Sequence, residues 1–248
     1  MLFPEYGYRL EDFIEVTSRI NSTERLFELF IHVLGGFGFD RVNFSVKYDL
    51  QVPIHQRRFG IISTYPADWQ QYYIDQNFID IDPVLRSASA LVKPFAWKDL
   101  ERSHPLTRQQ HRFLRLGEEA TLHNGLGIPL NGMRSQIAGV ALATSTRSQD
   151  YMRNRQLLAA FCNQFYATFK RLLGTSSPYS PSMAHLSERE TEILQHVAYG
   201  LTDEGVADAL SMSENTVSYH MKRIFLKLNA TNRVQAVVTG LASGLIEF

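Results

Sequence analysis

Residues 202–228 read TDEGVADALSMSENTVSYHMKRIFLKL. Two helix-patterned stretches, Thr202 to Leu210 and Glu214 to Leu228, are separated only by Ser211, Met212 and Ser213. Thr202 and Ser213 are side chains that accept from the free N–H groups of a first helical turn. Two helices joined by so short a turn make a helix-turn-helix, whose second helix enters the DNA major groove. In that second helix Val217, Ile224 and Leu228 share a face and are expected to pack inward, with His220 at their edge, while Ser218, Met221, Lys222 and Phe225 fall elsewhere. Asn215, Ser218 and Lys222 share another face, within reach of base edges or phosphates. Lys222 suits a guanine edge, and Arg223, Lys227, Asn232 and Arg233 suit backbone phosphate. By spacing alone, a helical bundle with a solvated basic face fits as well.

Working outward, Ser187 with Glu190 forms a capping box for a helix from Ser187 to Tyr199, and another helix is expected from Asn232 to Ser243. Upstream, residues 174–182 read GTSSPYSPS, residue types that neither helix nor strand retains. The expected organisation is therefore a large domain over 1–174, a linker over 175–184 and a small all-α domain over 185–248. Net charge is zero, from 25 Lys+Arg and 25 Asp+Glu, which argues at first against nucleic acid. Splitting the sum reverses that. From Met183 onward there are five bases against eight acids, yet between Asn215 and Ile246 there are four bases and no acid.

The 248 residues, 44% apolar, suffice for a real core. Arg9 to Ile20 and Asn21 to Leu34 have helical spacing, with Asn21 and Glu24 as a capping box for the second. Arg41 to Tyr48 alternates strictly, Val42, Phe44, Val46 and Tyr48 against Arg41, Asn43, Ser45 and Lys47, as in a half-buried strand. Further strands are expected over Arg58 to Tyr65, Gly125 to Leu130 and Gln136 to Ser145, the last two around a turn at Asn131-Gly132. Helices are expected over Arg108 to Leu122 and Asp150 to Leu173. Strand pairs close in sequence favour an α+β class, an α-β-α sandwich with an antiparallel sheet, rather than a doubly wound fold. Cys162, the single cysteine, allows no internal disulfide and no thiolate zinc cluster. With no signal-peptide pattern and no membrane-length apolar run, a cytoplasmic protein is expected.

The run Leu186 to Glu190, with Ile193-Leu194, Gly200, Val206-Ala207, Leu210, Ser213, Thr216-Val217, His220, Ile224, Lys227-Leu228, Asn232-Arg233, Ala236-Val237 and Gly244-Leu245-Ile246, closely resembles the LuxR-type helix-turn-helix domain. Leu201 stands where that family usually has Lys, removing a phosphate contact, and Gly205 where it usually has Glu. In the larger domain, Tyr65-Pro66-Ala67-Asp68-Trp69 through Tyr73 to Asp82-Pro83, then Pro94-Phe95-Ala96-Trp97 and Gly125 to Pro129, resembles the autoinducer-binding domain of acyl-homoserine lactone receptors. The steps of four, four and thirteen residues from Tyr65 to Trp69, Trp69 to Tyr73 and Trp69 to Asp82 agree with it, as does fifteen from Asp82 to Trp97.

That resemblance implies a quorum-sensing transcription factor with an N-acyl-homoserine lactone ligand and no other cofactor. The Trp69 indole N–H would serve the lactone carbonyl, the Asp82 carboxylate would accept from the amide N–H, and the Tyr65 hydroxyl would donate to the amide carbonyl, with Tyr73 and Trp97 lining the pocket. The implied partners are double-stranded DNA, a second copy of the chain and RNA polymerase, with no membrane. Thr202, Asn215, Ser218, Lys222, Arg223, Lys227 and Arg233 are the residues expected at DNA. Each ligand residue also has a plainer reading: Trp69 and Tyr73 as a core stripe, and Asp82 before Pro83 as a helix cap. Their joint spacing favours the site. Gly127 and Ala141 stand where relatives offer hydroxyls, which weakens the expectation of a 3-oxo substituent. The alternative is a solo receptor for another small molecule, or one released from DNA by its ligand. An enzyme lacks support, because His32, His55, His104, His111 and His123 are scattered, with no metal spacing, phosphate loop or nucleophile motif beside them.

Overall fold

The computed structural model describes residues 9–49, 52–103, 105–130, 136–146, 154–174 and 186–247. The chain divides into two compact units, Met1–Ser177 and Pro178–Phe248. Residues 175–185, which include the expected linker, lie outside the described residues, as do the expected turn at Asn131-Gly132 and the start of the helix expected from Asp150.

In the larger unit, α1 (Leu10–Arg19) and α2 (Thr23–Gly36) precede β1 (Arg41–Tyr48) and a two-residue β2 (Ile62–Ser63). Then come α3 (Ala67–Asp75), α4 (Pro83–Ala90), β3 (Phe95–Ala96), α5 (Leu100–Ser103) and α6 (Arg108–Glu119). The hairpin strands β4 (His123–Pro129) and β5 (Ile137–Thr144) and the long α7 (Arg155–Leu173) complete it. The sheet is antiparallel throughout, in the order β2-β1-β5-β4-β3. Helices cover both faces, the expected α-β-α arrangement.

The pleat sends alternate residues to opposite faces. One face carries Val42, Phe44 and Val46 opposite Leu142, Val140 and Ala138, buried against α1, α2 and α7. Phe165 of α7 stacks on Phe30 with centroids 3.9 Å apart and meets Phe44 edge-on at 5.0 Å. The other face carries a row from Ser63 through Asn43, Ala141 and Gly127 to Phe95, and beside it Ser45 opposite Gly139. Here the reading of β1 as half-buried is corrected. Asn43 and Ser45 are buried too, because the layer containing α3 and α4 covers them as the lid of a cavity.

Two smaller expectations also change. The cap of α2 is Ser22, which accepts from the Arg25 N–H at 3.2 Å, so Asn21 lies one residue too early. The strand expected over Arg58 to Tyr65 shortens to β2, because Gly60 turns the chain at φ 65°. Backbone bonds from Val46 to Arg58 and from Ile61 to Phe44 still hold the segment along β1.

The smaller unit is all helical: α8 (Glu188–Ala198), α9 (Asp203–Ala209), α10 (Glu214–Leu228) and α11 (Arg233–Ser243). Ser187 and Glu190 make the expected capping box, and Thr202, Ser213 and Asn232 cap the next three helices. Ser211, at φ 52°, bends the chain between α9 and α10. Val217, Ile224 and Leu228 are buried as expected. Met221 is buried with them, correcting its placement elsewhere: it follows Val217 by one helical turn and so faces the same core.

Candidate functional sites in the two units

Pro66 sets the start of α3, so Trp69 and Tyr73 follow one turn apart on its inner face, with Tyr65 just ahead of the helix. Asp82 performs the capping role that Pro83 advertises. Its Oδ1 accepts from the Val84 and Leu85 N–H groups at 2.7 and 3.1 Å. Its Oδ2 accepts from the Tyr73 hydroxyl at 3.0 Å. Cap and cavity wall are thus one side chain, and the plain reading of Asp82 does not compete with the functional one. Only 7% of Asp82 is exposed. Burial pushes its carboxyl up to about 6, against the opposing hydrogen bonds from Leu85, Tyr73 and Val84. Burial and the neighbouring Asp82 charge hold the Tyr65 and Tyr73 phenols protonated, as donors.

The structure brings all five expected residues, Tyr65, Trp69, Tyr73, Asp82 and Trp97, to the lining of one cavity. Tyr65 donates to the Ala141 carbonyl at 3.3 Å, and Phe59 stacks on Tyr73 at 4.3 Å. Trp97 leans on the backbone of β4. A Cβ at Gly125 would lie within 1.8 Å of its ring, and one at Gly127 within 2.3 Å of the Phe95 ring. Gly127 therefore lacks a hydroxyl because Phe95 occupies that space. The Trp97 indole nitrogen is buried with no protein acceptor, and Asn43 Oδ1 is buried with no protein donor. A neutral molecule bearing both acceptors and donors, with an apolar remainder, matches these walls.

Sequence reasoning missed Asn43, Ser45, Phe59, Leu85 and Phe113 among the lining residues. For Asn43 and Ser45 a signal existed. They are polar residues on a strand face, and only the number of layers covering that face was illegible.

In the smaller unit, Asn215, Tyr219, Lys222 and Arg223 are exposed along α10, with Ser218 half-buried beside them. Tyr219, 57% exposed, was missed, although it follows Asn215 by one turn. Arg223 lies over its ring at 5.8 Å. Arg223, Lys227 and Arg233, expected at phosphate, are each also engaged within the domain while part of each side chain stays exposed. Lys227 Nζ contacts Glu190 Oε2 at 2.5 Å, and Arg223 lies 3.4 Å from Oε1 of the same carboxylate. Arg233 pairs with Asp203 and donates to the Leu201 carbonyl. Glu190 is 1% exposed. Burial acts to raise its carboxyl, but bonds from Lys227 and Ser187 hold it below the ordinary range. Thr202 caps α9, accepting from Gly205 N–H at 3.1 Å, which leaves its own O–H to donate. Among the described residues, Lys222 has no ion-pair partner.

Two family models match the chain: the autoinducer binding domain over residues 22–169, and the bacterial regulatory proteins of the luxR family over residues 184–239. Transcriptional activator protein AhyR of Aeromonas hydrophila is 26% identical over 243 residues, 96% of this chain and 92% of the relative. The quorum sensing-dependent transcriptional regulator RpaR of Rhodopseudomonas palustris is 32% identical over 186 residues, 73% of each. In fold, the chain is similar to Escherichia coli SdiA, with a TM-score of 0.70 at 23% identity over 96% of this chain and 98% of that one. The cavity of the larger unit and the helix-turn-helix of the smaller fall inside the two matched regions. The chain therefore belongs to the LuxR family of quorum-sensing transcriptional regulators, with an autoinducer-binding domain ahead of its DNA-binding domain, and is not an enzyme.

Proposed function

We propose that the chain is a cytoplasmic receptor for an N-acyl-homoserine lactone that acts on DNA as a homodimer. The observation that carries the ligand is the convergence of the Trp69 indole, the Asp82 carboxylate and the Tyr65 phenol on one apolar-walled cavity. A lactone carbonyl needs a donor, its amide N–H an acceptor and its amide carbonyl a donor, and these three side chains are of those kinds. Each must be satisfied, because a polar group buried without a partner costs about 1–3 kcal/mol. A ligand enclosed in the core adds to folded-state stability by mass action, about 2.7 kcal/mol at a hundredfold excess over Kd.

Dimerisation presents two copies of α10 to a two-fold-related site, with half-sites about one helical turn apart. In this reading Asn215, Ser218, Tyr219 and Lys222 face the groove. Arg223, Lys227 and Arg233 shape the domain and contribute residual charge at its edge. Helices α7 and α11 are candidates for the dimer contact, and RNA polymerase is a further partner.

The test is thermal unfolding of the parent and of Asp82→Ala with a panel of acyl-homoserine lactones. The parent should melt higher with at least one lactone, and the variant should not respond. A parent unmoved by every lactone overturns the ligand. A monoacylglycerol panel then becomes the next screen, since a structure of SdiA is described in complex with octanoyl-rac-glycerol.

A further inference from the structure

Part of the cavity wall is polar besides Asp82. Asn43 and Ser45 point from β1 into the same space as Tyr65 and Trp97, and Lys47 continues the row at the exposed end. Asn43 is 3% exposed. Its Nδ2 donates to Ser45 Oγ at 3.4 Å, while the Gly60 N–H donates to the same oxygen at 3.0 Å. The remaining amide atom, Oδ1, has no protein partner. Gly60 comes close, a Cβ there lying 3.3 Å from Oδ1, but its N–H is already committed to Ser45. A buried acceptor in this state is costly until something donates to it. An all-hydrocarbon chain laid over Asn43 would leave that cost in place.

We propose that the ligand carries a hydroxyl on its acyl portion, and that Asn43, positioned by Ser45 and Gly60, is the residue that reads it. This rests on the lactone reading of the head-group site and extends it. Asn43 lies directly opposite Ala141, whose carbonyl holds the Tyr65 hydroxyl. On binding, the Tyr65 hydroxyl would turn from Ala141 to the ligand's amide carbonyl, and Asn43, across the strand pair from Ala141, would read the acyl side of that amide. A hydroxyl is specified rather than a ketone because Oδ1 requires a donor.

The experiment is calorimetric titration of the full chain with matched lactones of one acyl length: a plain alkyl chain, an oxo-substituted chain, and chains hydroxylated at successive carbons. The parent should bind one hydroxylated member about tenfold to a hundredfold more tightly than the alkyl member. Asn43→Leu should erase or invert that preference while still binding the alkyl lactone. Equal or tighter binding of the alkyl or oxo member by the parent overturns the proposal and leaves the head-group reading standing. No binding by any lactone overturns both. Should Asn43→Leu fail to fold, the parent's preference decides alone, with Ser45→Ala expected to narrow it.

Discussion

On one face of β1, Val42, Phe44 and Val46 meet a layer of stacked rings from α2 and α7. On the other, one residue away, Asn43 and Ser45 meet a cavity whose walls include Asp82, Tyr65 and Trp97. Both faces are buried, but they are finished differently. The first is closed by its own side chains. The second leaves a donor at Trp97 and an acceptor at Asn43 without protein partners. A single strand thus separates a face packed by the protein's own side chains from one that leaves buried polar groups without protein partners.

The largest expected effect lies on the closed face. Phe165→Ala removes a fully buried ring that contacts Phe30 and Phe44, and should cost about 3–5 kcal/mol. Denaturant unfolding with and without saturating lactone should show the same loss in both. A loss confined to the ligand-free protein would mean that the two faces are not independent.

Next is the pH response of the open face. The ordinary aspartate value is 3.8, and burial raises Asp82 to about 6. The folded state therefore holds this proton more tightly than the unfolded chain does. Its stabilising contribution is fully present below about pH 4 and is lost as pH rises through about 6, on the order of 3 kcal/mol in all. Asp82→Asn should flatten that part of the stability profile. In the proposed contact the lactone amide donates to the charged form, so affinity should weaken below pH 6, by up to about tenfold at pH 5. Calorimetry at pH 7.5, 6 and 5 reads this directly, and a flat profile would remove the carboxylate from the proposed contact.

The smaller unit sharpens the same contrast between groups satisfied internally and groups left for a partner. Lys222→Ala, on the exposed stripe, should leave thermal stability within about 0.5 kcal/mol and lower DNA affinity with relaxed base preference. Lys227→Ala should instead destabilise the domain by about 1–3 kcal/mol, because the buried Glu190 loses its nearest cation and is left with Arg223 at 3.4 Å among the described residues. Fluorescence anisotropy on specific and random DNA, paired with unfolding curves, separates the two. A Lys227→Ala protein of parental stability with a reduced salt slope would restore Lys227 to the phosphate contacts.

Local chemistry was legible in the sequence; coverage was not. The caps at Ser187, Thr202 and Ser213, the limits of α10 and the alternation of β1 each follow from residues a few positions apart, whereas Asn232, expected at phosphate, proves to cap α11. The joint spacing of Tyr65, Trp69 and Asp82 marks three residues that the fold brings to one cavity. Three features needed the fold. Whether the Asn43 face meets water or a second layer depends on α3 and α4. Gly127 is explained only by Phe95 from a neighbouring strand. The partner of Lys227 is Glu190, one helix and 37 residues away. Charge patterning along one helix could not show that its positive end is partly neutralised from behind.

The smallest effect tests the scaffold helix of the DNA-binding unit, where glycine replaces the family's usual glutamate. Gly205 has no positive φ, so nothing in its backbone requires glycine. A Cβ there would sit 3.6 Å from Leu201 and from the Thr202 hydroxyl, ordinary contact distances. Gly205→Ala should therefore gain up to about 1 kcal/mol, through lower unfolded-chain entropy and better helix propensity. The Thr202 cap survives, because it uses the backbone N–H of residue 205. The readout is the unfolding midpoint together with DNA affinity. A more stable domain with unchanged affinity would identify Gly205 as a tolerated cost, whereas a more stable domain that binds DNA less well would show that α9 must yield when α10 enters the groove.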